Sequence, residues 1–386
     1  MAAELYKPLS EDDLLDALRG ALADGRPLEV VGTGSKRNFG RPMQTSATLD
    51  MSGLAGIVSY EPEELVVTVK AGTPLSDLEA ALAGKRQRLA FEPADWGRLL
   101  GGSPGRATIG GVVACNLAGP RRVSQGAARD HVLGLKCVSG LGEAFVCGGR
   151  VVKNVTGFDL PKLLTGSLGT LAVIHELTLR VAPLPESERT LTLSGQDHSA
   201  AVAAMTRALS SPYEVSGAAQ AGGITALRLE GPEVSVAARA EALRHELAGF
   251  GAVEELDGSR SADLWSSVRD VAAFAGDDRL VWRLMVPPSR VAAAVAAVPG
   301  AEVVLDRGGA LAWLALAGPE PAAEAVRTAA EAAGGRATLF RAPAETRASV
   351  PVFHPEPAPL AALSERVKAA FDPRRILNPG RMTPAI

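Results

Sequence analysis

Hydrophobic positions change period several times along the chain. Behind Ser10, Glu11, Asp12 and Asp13, leucines at 14, 15 and 18 fall on one helical face, which predicts a helix with Ser10 at its start. The apolar run "LEVV" from Leu28 then reads as a strand that meets a glycine loop. In "ELVVTVKAGTPLSDLEAAL" a strand turns at Gly72 into a helix, with Thr73 as N-cap, Pro74 at the first position and Leu75, Leu78 and Leu82 as its stripe. Between Gly101 and Gly126 periodicity fades and glycine becomes dense, the pattern of backbone held close to something. "HVLGLKCVSGLGEAFVCGG" predicts a hairpin. "TLAVIHELTLRV" alternates, with Leu171, Val173, Leu177, Leu179 and Val181 on one face and His175 among them.

After the proline-rich "APLPESE", residues 189–340 become alanine-rich and parse twice. The first pass gives strand "TLTL", helix 199–210, strands near 213–219 and 224–230, helix 234–248 and strand "AVEEL". A helix around Trp265 follows. The second pass gives "LVWRLMV", helix 289–297, "AEVVLD", "ALAWLAL", helix 321–333 and "RATLF". Each is β-α-β-β-α-β, so a tandem ferredoxin-like pair with one antiparallel sheet is expected. A last helix, "LAALSERVKAAF", leads into "DPRRILNPGRM", whose prolines end regular structure. The expected division is a domain at 1–184, a cap at 189–345 and a returning C-terminal segment at 346–386.

Composition narrows the function classes. The 386 residues are 47% hydrophobic with net charge −3, without the basic excess that nucleic acid demands. Cys115, Cys137 and Cys147 are odd in number and lack CxxC spacing, so no disulfide framework, zinc site or iron–sulfur cluster is indicated. The acidic N-terminal stretch and the lack of an apolar run near ~18 residues predict neither export nor a membrane span, and a cytoplasmic chain.

In "LEVVGTGSKRNFG", Gly32-Thr33-Gly34-Ser35-Lys36 fits neither GxxxxGK[ST] nor GxGxxG. What remains is a run of backbone N–H groups able to curve round an anion, with a hydroxyl and an ammonium beside it; a plain turn is the alternative. The second glycine-rich stretch, "GGSPGRATIGGVVACNLAGPRRVSQGAARDHVLG", adds hydroxyls at Ser103 and Thr108 and an amide at Asn116. Two such loops suit one long ligand.

The order Ala107-Thr108-Ile109-Gly110-Gly111, Asn116, Gly119-Pro120, Gly126 and Arg129-Asp130 resembles the vanillyl-alcohol oxidase type of FAD-binding family. "AGTPLSDLEAAL", "LAFEPAD", "VVKNVTGFDLPKLLTGSLGTLAVIHELTLRVAP" and "FDPRRILNPGRM" agree in order and spacing. Within that family, the short length with "LWSSVRD", "VWRLMVP" and "NPGRM" is most similar to the FAD-binding subunits of bacterial glycolate oxidases. The resemblance implies an α+β fold, a two-subdomain FAD-binding domain with an antiparallel-sheet cap. It implies that the backbone of Gly32, Thr33, Gly34, Ser35 and Lys36 holds the pyrophosphate, that Thr108, Ile109, Gly110 and Gly111 border the flavin and pyrophosphate, and that Ala114, Asn116, Gly119 and Gly126 continue the wall. Pro93 joins the site from "LAFEPAD", Ile174 meets the adenine end and Asn378 lies near the isoalloxazine. With Ser35 in the first loop and Cys115 read as a packing residue, non-covalent FAD is expected.

The family reaction oxidises a 2-hydroxy acid and needs a base and a carboxylate partner. His354 is the best-placed base, against core packing for His175, a loop end for His131 and surface positions for His198 and His245. Arg269, Arg283 and Arg341 are carboxylate candidates, each with a surface ion pair as its alternative; Trp265 and Trp282 read as cap packing. No histidines lie at metal-ligand spacing, so no metal is expected. The resemblance implies a related flavoprotein subunit and an iron–sulfur subunit as partners, with any membrane reached only through them. A free-standing FAD-dependent 2-hydroxy-acid or alcohol dehydrogenase, and a non-catalytic flavin-binding assembly subunit, remain open alternatives.

Overall fold

The computed structural model describes residues 4–150, 157–318, 320 and 322–386, so the opening of "VVKNVTG" lies outside the described residues. Met1–Leu117, Ala127–Pro183 and Arg347–Ile386 form one unit; Ala118–Gly126 and Leu184–Thr346 form the other.

In the first unit the helix Glu11–Asp24 starts as expected. Ser10 Oγ accepts from the Asp13 N–H at 3.1 Å while the Asp13 carboxylate accepts from the Ser10 N–H at 3.0 Å, and Gly25 ends the helix at φ +65°. Leu14, Leu18 and Ala21 pack into a core with Leu28, Leu49, Val138 and Val173. Strands Glu4–Tyr6, Ala47–Asp50 and Leu28–Val31 form a parallel sheet in that order. Strands Ile57–Glu61, Val66–Lys70, Ala172–Arg180, Val132–Ser139 and Ala144–Gly148 form an antiparallel one. His175 lies 1% exposed on the apolar face of its strand.

Two local expectations change. The helix after Gly72 is Leu75–Ala83 with Pro74 as N-cap, because the Thr73 hydroxyl is already taken: it donates to the Lys70 carbonyl at 2.7 Å and accepts from the Gly56 N–H at 2.9 Å. The second glycine stretch is not wholly irregular, since Ile109–Ala114 is a short helix whose Thr108 hydroxyl accepts from the Gly111 N–H at 3.3 Å.

The C-terminal segment is fixed by a buried ion pair. Lys368 Nζ, on helix Ala358–Phe371, donates to Asp372 at 2.7 Å and to the carbonyls of Thr170 and Leu377 at 2.6 and 3.0 Å. Asp372 accepts in turn from the Ile376 and Leu377 N–H groups. Leu377 is thereby laid parallel to Leu28, with Leu28 N–H donating to Ile376 at 2.7 Å.

The second unit holds one antiparallel sheet of eight strands. Their order is Val253–Asp257, Ser187–Ser194, Ile224–Gly231, Gly217–Ala221, Glu302–Asp306, Leu311–Leu316, Leu280–Met285 and Arg336–Arg341. The first four are one β-α-β-β-α-β repeat in spatial order 4-1-3-2 and the last four are the second in mirrored order, joined where Gln220 pairs with Leu305. Trp265 and Trp282 are both buried, as expected for packing residues. Ala118–Gly126 groups with this unit because the Arg121 guanidinium forks onto buried Glu230 at 3.0–3.1 Å and the Arg307 side chain reaches the Ala118 carbonyl at 2.8 Å. Among the described residues no helix is long and apolar enough to cross a membrane.

Candidate functional site

The loop Gly32–Lys36 follows the strand that the C-terminal segment covers. Alternate N–H groups of a strand point to opposite edges. On the covered edge the Leu28 N–H goes to the Ile376 carbonyl and the Val30 N–H to Asn378 Oδ1 at 2.7 Å. Gly32 comes next on that edge, where the segment has ended and a pocket begins. Among the described residues the N–H groups of Gly32 through Ser35 have no acceptor, so they are available to a ligand.

That pocket has two lobes within the first unit. One, of about 520 Å³, is lined by Thr33, Ser35, Lys36, Arg37, Cys115, Asn378 and Arg381. The other, of about 450 Å³, is lined by Met51, Ala71, Gly169, Ala172 and Ile174. Gly32, Thr108, Gly111, Ala114 and Leu168 line both and so form the shared wall. Because they share a wall, the two lobes together suit a long ligand with two ends.

The two glycine loops touch directly. A Cβ on Gly32 would collide with the Thr108 hydroxyl, and one on Gly110 would lie 2.7 Å from the Ala71 carbonyl. The Thr33 hydroxyl bonds the Arg106 carbonyl and the Arg106 guanidinium returns to the Thr33 carbonyl at 3.2 Å, so the Thr33 side chain ties the loops together instead of facing a ligand. The Gly110 N–H donates to Ala71 and the Gly111 N–H to Thr108, so these glycines admit a ligand by lacking a side chain and not by donating to it.

Charge is concentrated in the first lobe. Lys36 is 8% exposed; its Nζ donates to Ser35 Oγ at 3.2 Å and lies over Gly111, 3.9 Å from where a Cβ would stand. Burial pulls the Lys36 ammonium below the usual lysine range, opposed by Cys115 and Asp95. Arg381 donates to the Lys36 carbonyl at 2.8 Å, and burial pushes its guanidinium down to about 10. Arg37 pairs with Glu29 at 2.7 Å. The unpaired loop N–H groups fit the pyrophosphate of a dinucleotide such as FAD, and Lys36 and Arg381 lie to one side of them, in the first lobe.

Of the residues expected at this site, Gly32, Thr33, Gly34, Ser35, Lys36, Thr108, Gly110, Gly111, Ala114, Ile174 and Asn378 line the two lobes. Ile109 is buried behind them, and Pro93 is buried away from either lobe's lining. Asn116, at φ +50°, accepts from the Arg129 N–H at 3.2 Å and braces that turn. Gly119 and Gly126 belong to the second unit. The Asn378 amide is spent on structure, since Oδ1 accepts from Val30 and Nδ2 donates to the Leu168 carbonyl at 2.7 Å. Cys115, read as packing, is a lining residue. Arg381 was not expected at the site; it lies three residues beyond Asn378, in the segment that pairs with the loop strand.

The residues nominated for substrate are dispersed. Arg269 forks onto Asp270 at 2.6 and 3.0 Å. Arg341 is held by Asp277 and the carbonyls of Phe274 and Arg279 at 2.6–2.9 Å. Arg283 stacks near Trp313 and Phe340, 6.0 and 5.8 Å from the ring centres. His354 is half-buried beside Phe353, whose ring meets Phe39 at 5.7 Å. His131 is buried against Phe91, His198 bonds Gln220 at 2.7 Å and His245 is exposed beside Glu241. Burial holds the His175 imidazole below its ordinary range.

Comparison with known proteins places this site in a family. Residues 2–148 match the family model described as FAD binding domain. Glycolate oxidase subunit GlcE of Escherichia coli (strain K12) is 37% identical over 372 residues, 96% of each chain. Glycolate oxidase subunit GlcD of Bacillus subtilis (strain 168) is 30% identical over 192 residues, 50% of this chain and 39% of that one. A solved alkyldihydroxyacetonephosphate synthase superposes with TM-score 0.71 over 97% of this chain and 75% of its own at 15% identity, a likeness of fold. The glycine-walled, cation-lined pocket lies largely within the matched FAD-binding segment, and the chain, an FAD-dependent oxidoreductase, belongs to the family of glycolate oxidase subunit GlcE.

Proposed function

We propose that this chain is the FAD-binding subunit of a glycolate oxidase complex, taking part in the oxidation of glycolate or a close 2-hydroxy acid to the 2-oxo acid. The observation that carries this reading is the 37% identity to GlcE along 96% of both chains, which spans the pocket-bearing unit and the eight-stranded sheet alike. Bound FAD supplies an acceptor for the hydride that leaves the α-carbon of the acid. The protein's part is to hold it. The Gly32–Ser35 N–H groups meet the pyrophosphate at the shared wall, and the Asn378 bridge keeps the C-terminal wall in place.

Two partners are assigned to the chain, a related flavoprotein subunit and an iron–sulfur subunit, with the chain on the cytoplasmic side and any membrane contact made through them. Its three cysteines have no cluster spacing, so the onward electron path is assigned to the iron–sulfur partner. A supporting role, in which the related flavoprotein takes the substrate, is favoured over direct oxidation by one observation: Arg269, Arg341 and Arg283 are already engaged by carboxylates, carbonyls and rings. Anaerobic glycolate added to the FAD-loaded chain should leave the flavin absorbance unchanged alone and bleach it with partners present. Bleaching of the isolated chain contradicts the supporting role; no bleaching even in the assembled complex contradicts the function.

A further inference from the structure

The two lobes on either side of the glycine wall differ sharply in charge. One is lined by Met51, Ala71, Ala172 and Ile174 and carries no ionisable side chain; the other gathers Lys36, Arg37 and Arg381. A dinucleotide whose pyrophosphate sits at the shared wall places one ring system in each lobe. The two rings of FAD differ in what reduction does to them. Adenine keeps its charge, whereas the isoalloxazine, after taking two electrons and one proton, carries an added negative charge. A lobe with two desolvated cations is matched to the ring that becomes negative, and an apolar lobe to the ring that does not.

We propose that Lys36 and Arg381 face the isoalloxazine end of FAD and raise its reduction potential by stabilising the charge gained on reduction. This rests on the reading that FAD fills both lobes. Arg381 is held for the task from two sides: its guanidinium donates to the Lys36 carbonyl at 2.8 Å, and its carbonyl accepts from the Arg41 N–H at 2.9 Å. Arg37 is set apart, because Glu29 neutralises it at 2.7 Å. The cost of desolvating Lys36 and Arg381 is already met in the folded protein, so each gains when a negative charge arrives. Both act as positioning charges on the cofactor and neither transfers a proton in this account.

The test is anaerobic dye equilibration of the FAD-loaded chain, with the dissociation constant of oxidised FAD measured in parallel by fluorescence. Wild type is compared with Arg381→Met, Arg381→Lys and Lys36→Met, each at saturating FAD. Arg381→Met and Lys36→Met should each lower the midpoint potential by about 30 mV or more, which is a tenfold loss of preference for reduced over oxidised cofactor in a two-electron couple. Arg381→Lys should restore most of the shift, which a merely structural role would not do. An unchanged potential with a raised FAD dissociation constant would place the cations on the pyrophosphate and overturn the proposal. A wild-type chain that takes up no FAD overturns the cofactor reading first, so the two failures are told apart.

Discussion

Replacing Asn378 with alanine removes two hydrogen bonds at the pocket wall in one step. Its side chain is 3% exposed and spans from the Val30 N–H to the Leu168 carbonyl, both at 2.7 Å. Each backbone group left without a partner costs about 1–3 kcal/mol. Val30 and Leu168 border the pocket, where water can replace part of what is lost, so the lower half of that range applies to each. Asn378 also sits at φ +42°, a conformation that asparagine tolerates and alanine resists by about 1 kcal/mol. The sum is about 3–5 kcal/mol, read by chemical denaturation of the FAD-free chain. Asn378→Gly, which loses the bonds but accepts the backbone angle, should recover about 1 kcal/mol of it. Both variants should also weaken FAD binding, because the C-terminal wall is released. A loss below about 0.5 kcal/mol with unchanged FAD affinity would mean that the two bonds do not hold the wall, since only a surface-like site behaves so.

Gly32→Val should cut FAD affinity by about tenfold or more, because its Cβ meets the Thr108 hydroxyl and forces the loops apart; unaltered binding in a fluorescence titration would misplace the pocket. Lys368→Met should destabilise the FAD-free chain by about 3–5 kcal/mol, because it leaves the Asp372 carboxylate buried without its cation, and a denaturation midpoint near wild type would count against the latch. Burial lowers the folded His175 pKa below the ordinary value, so the unfolded chain binds more protons as pH falls below about 6.5. Stability should therefore decline from that pH downward toward the folded pKa, and His175→Leu should flatten this part of the profile.

Elements whose signal is local were legible in the sequence. The Ser10 start, the alternating strand around His175 and both β-α-β-β-α-β repeats depend on neighbours within a few residues, and each element lies within a few residues of its expected span. Thr73 misled because its hydroxyl has a non-local partner, the Gly56 N–H, that competes with capping. The two glycine loops were readable as a pair, yet the bond from Thr33 to the Arg106 carbonyl, which joins them, crosses seventy-three positions and leaves no periodic trace. Asn378 was expected near the flavin and lines the first lobe, but that its amide also bridges the Val30 N–H and the Leu168 carbonyl is visible only in the geometry. Arg381 carries charge at a position with no hydrophobic pattern, so nothing local set it apart from Arg374 or Arg375. Its importance comes from where Lys368 and Asp372 anchor the segment.

The cofactor itself can be read directly. Purified chain, precipitated with acid and cleared, should release intact FAD into the supernatant in an amount equimolar with protein, and Gly32→Val should release far less. A wild-type chain that yields no FAD and binds none when it is added would mean that this protein is not an FAD-binding subunit.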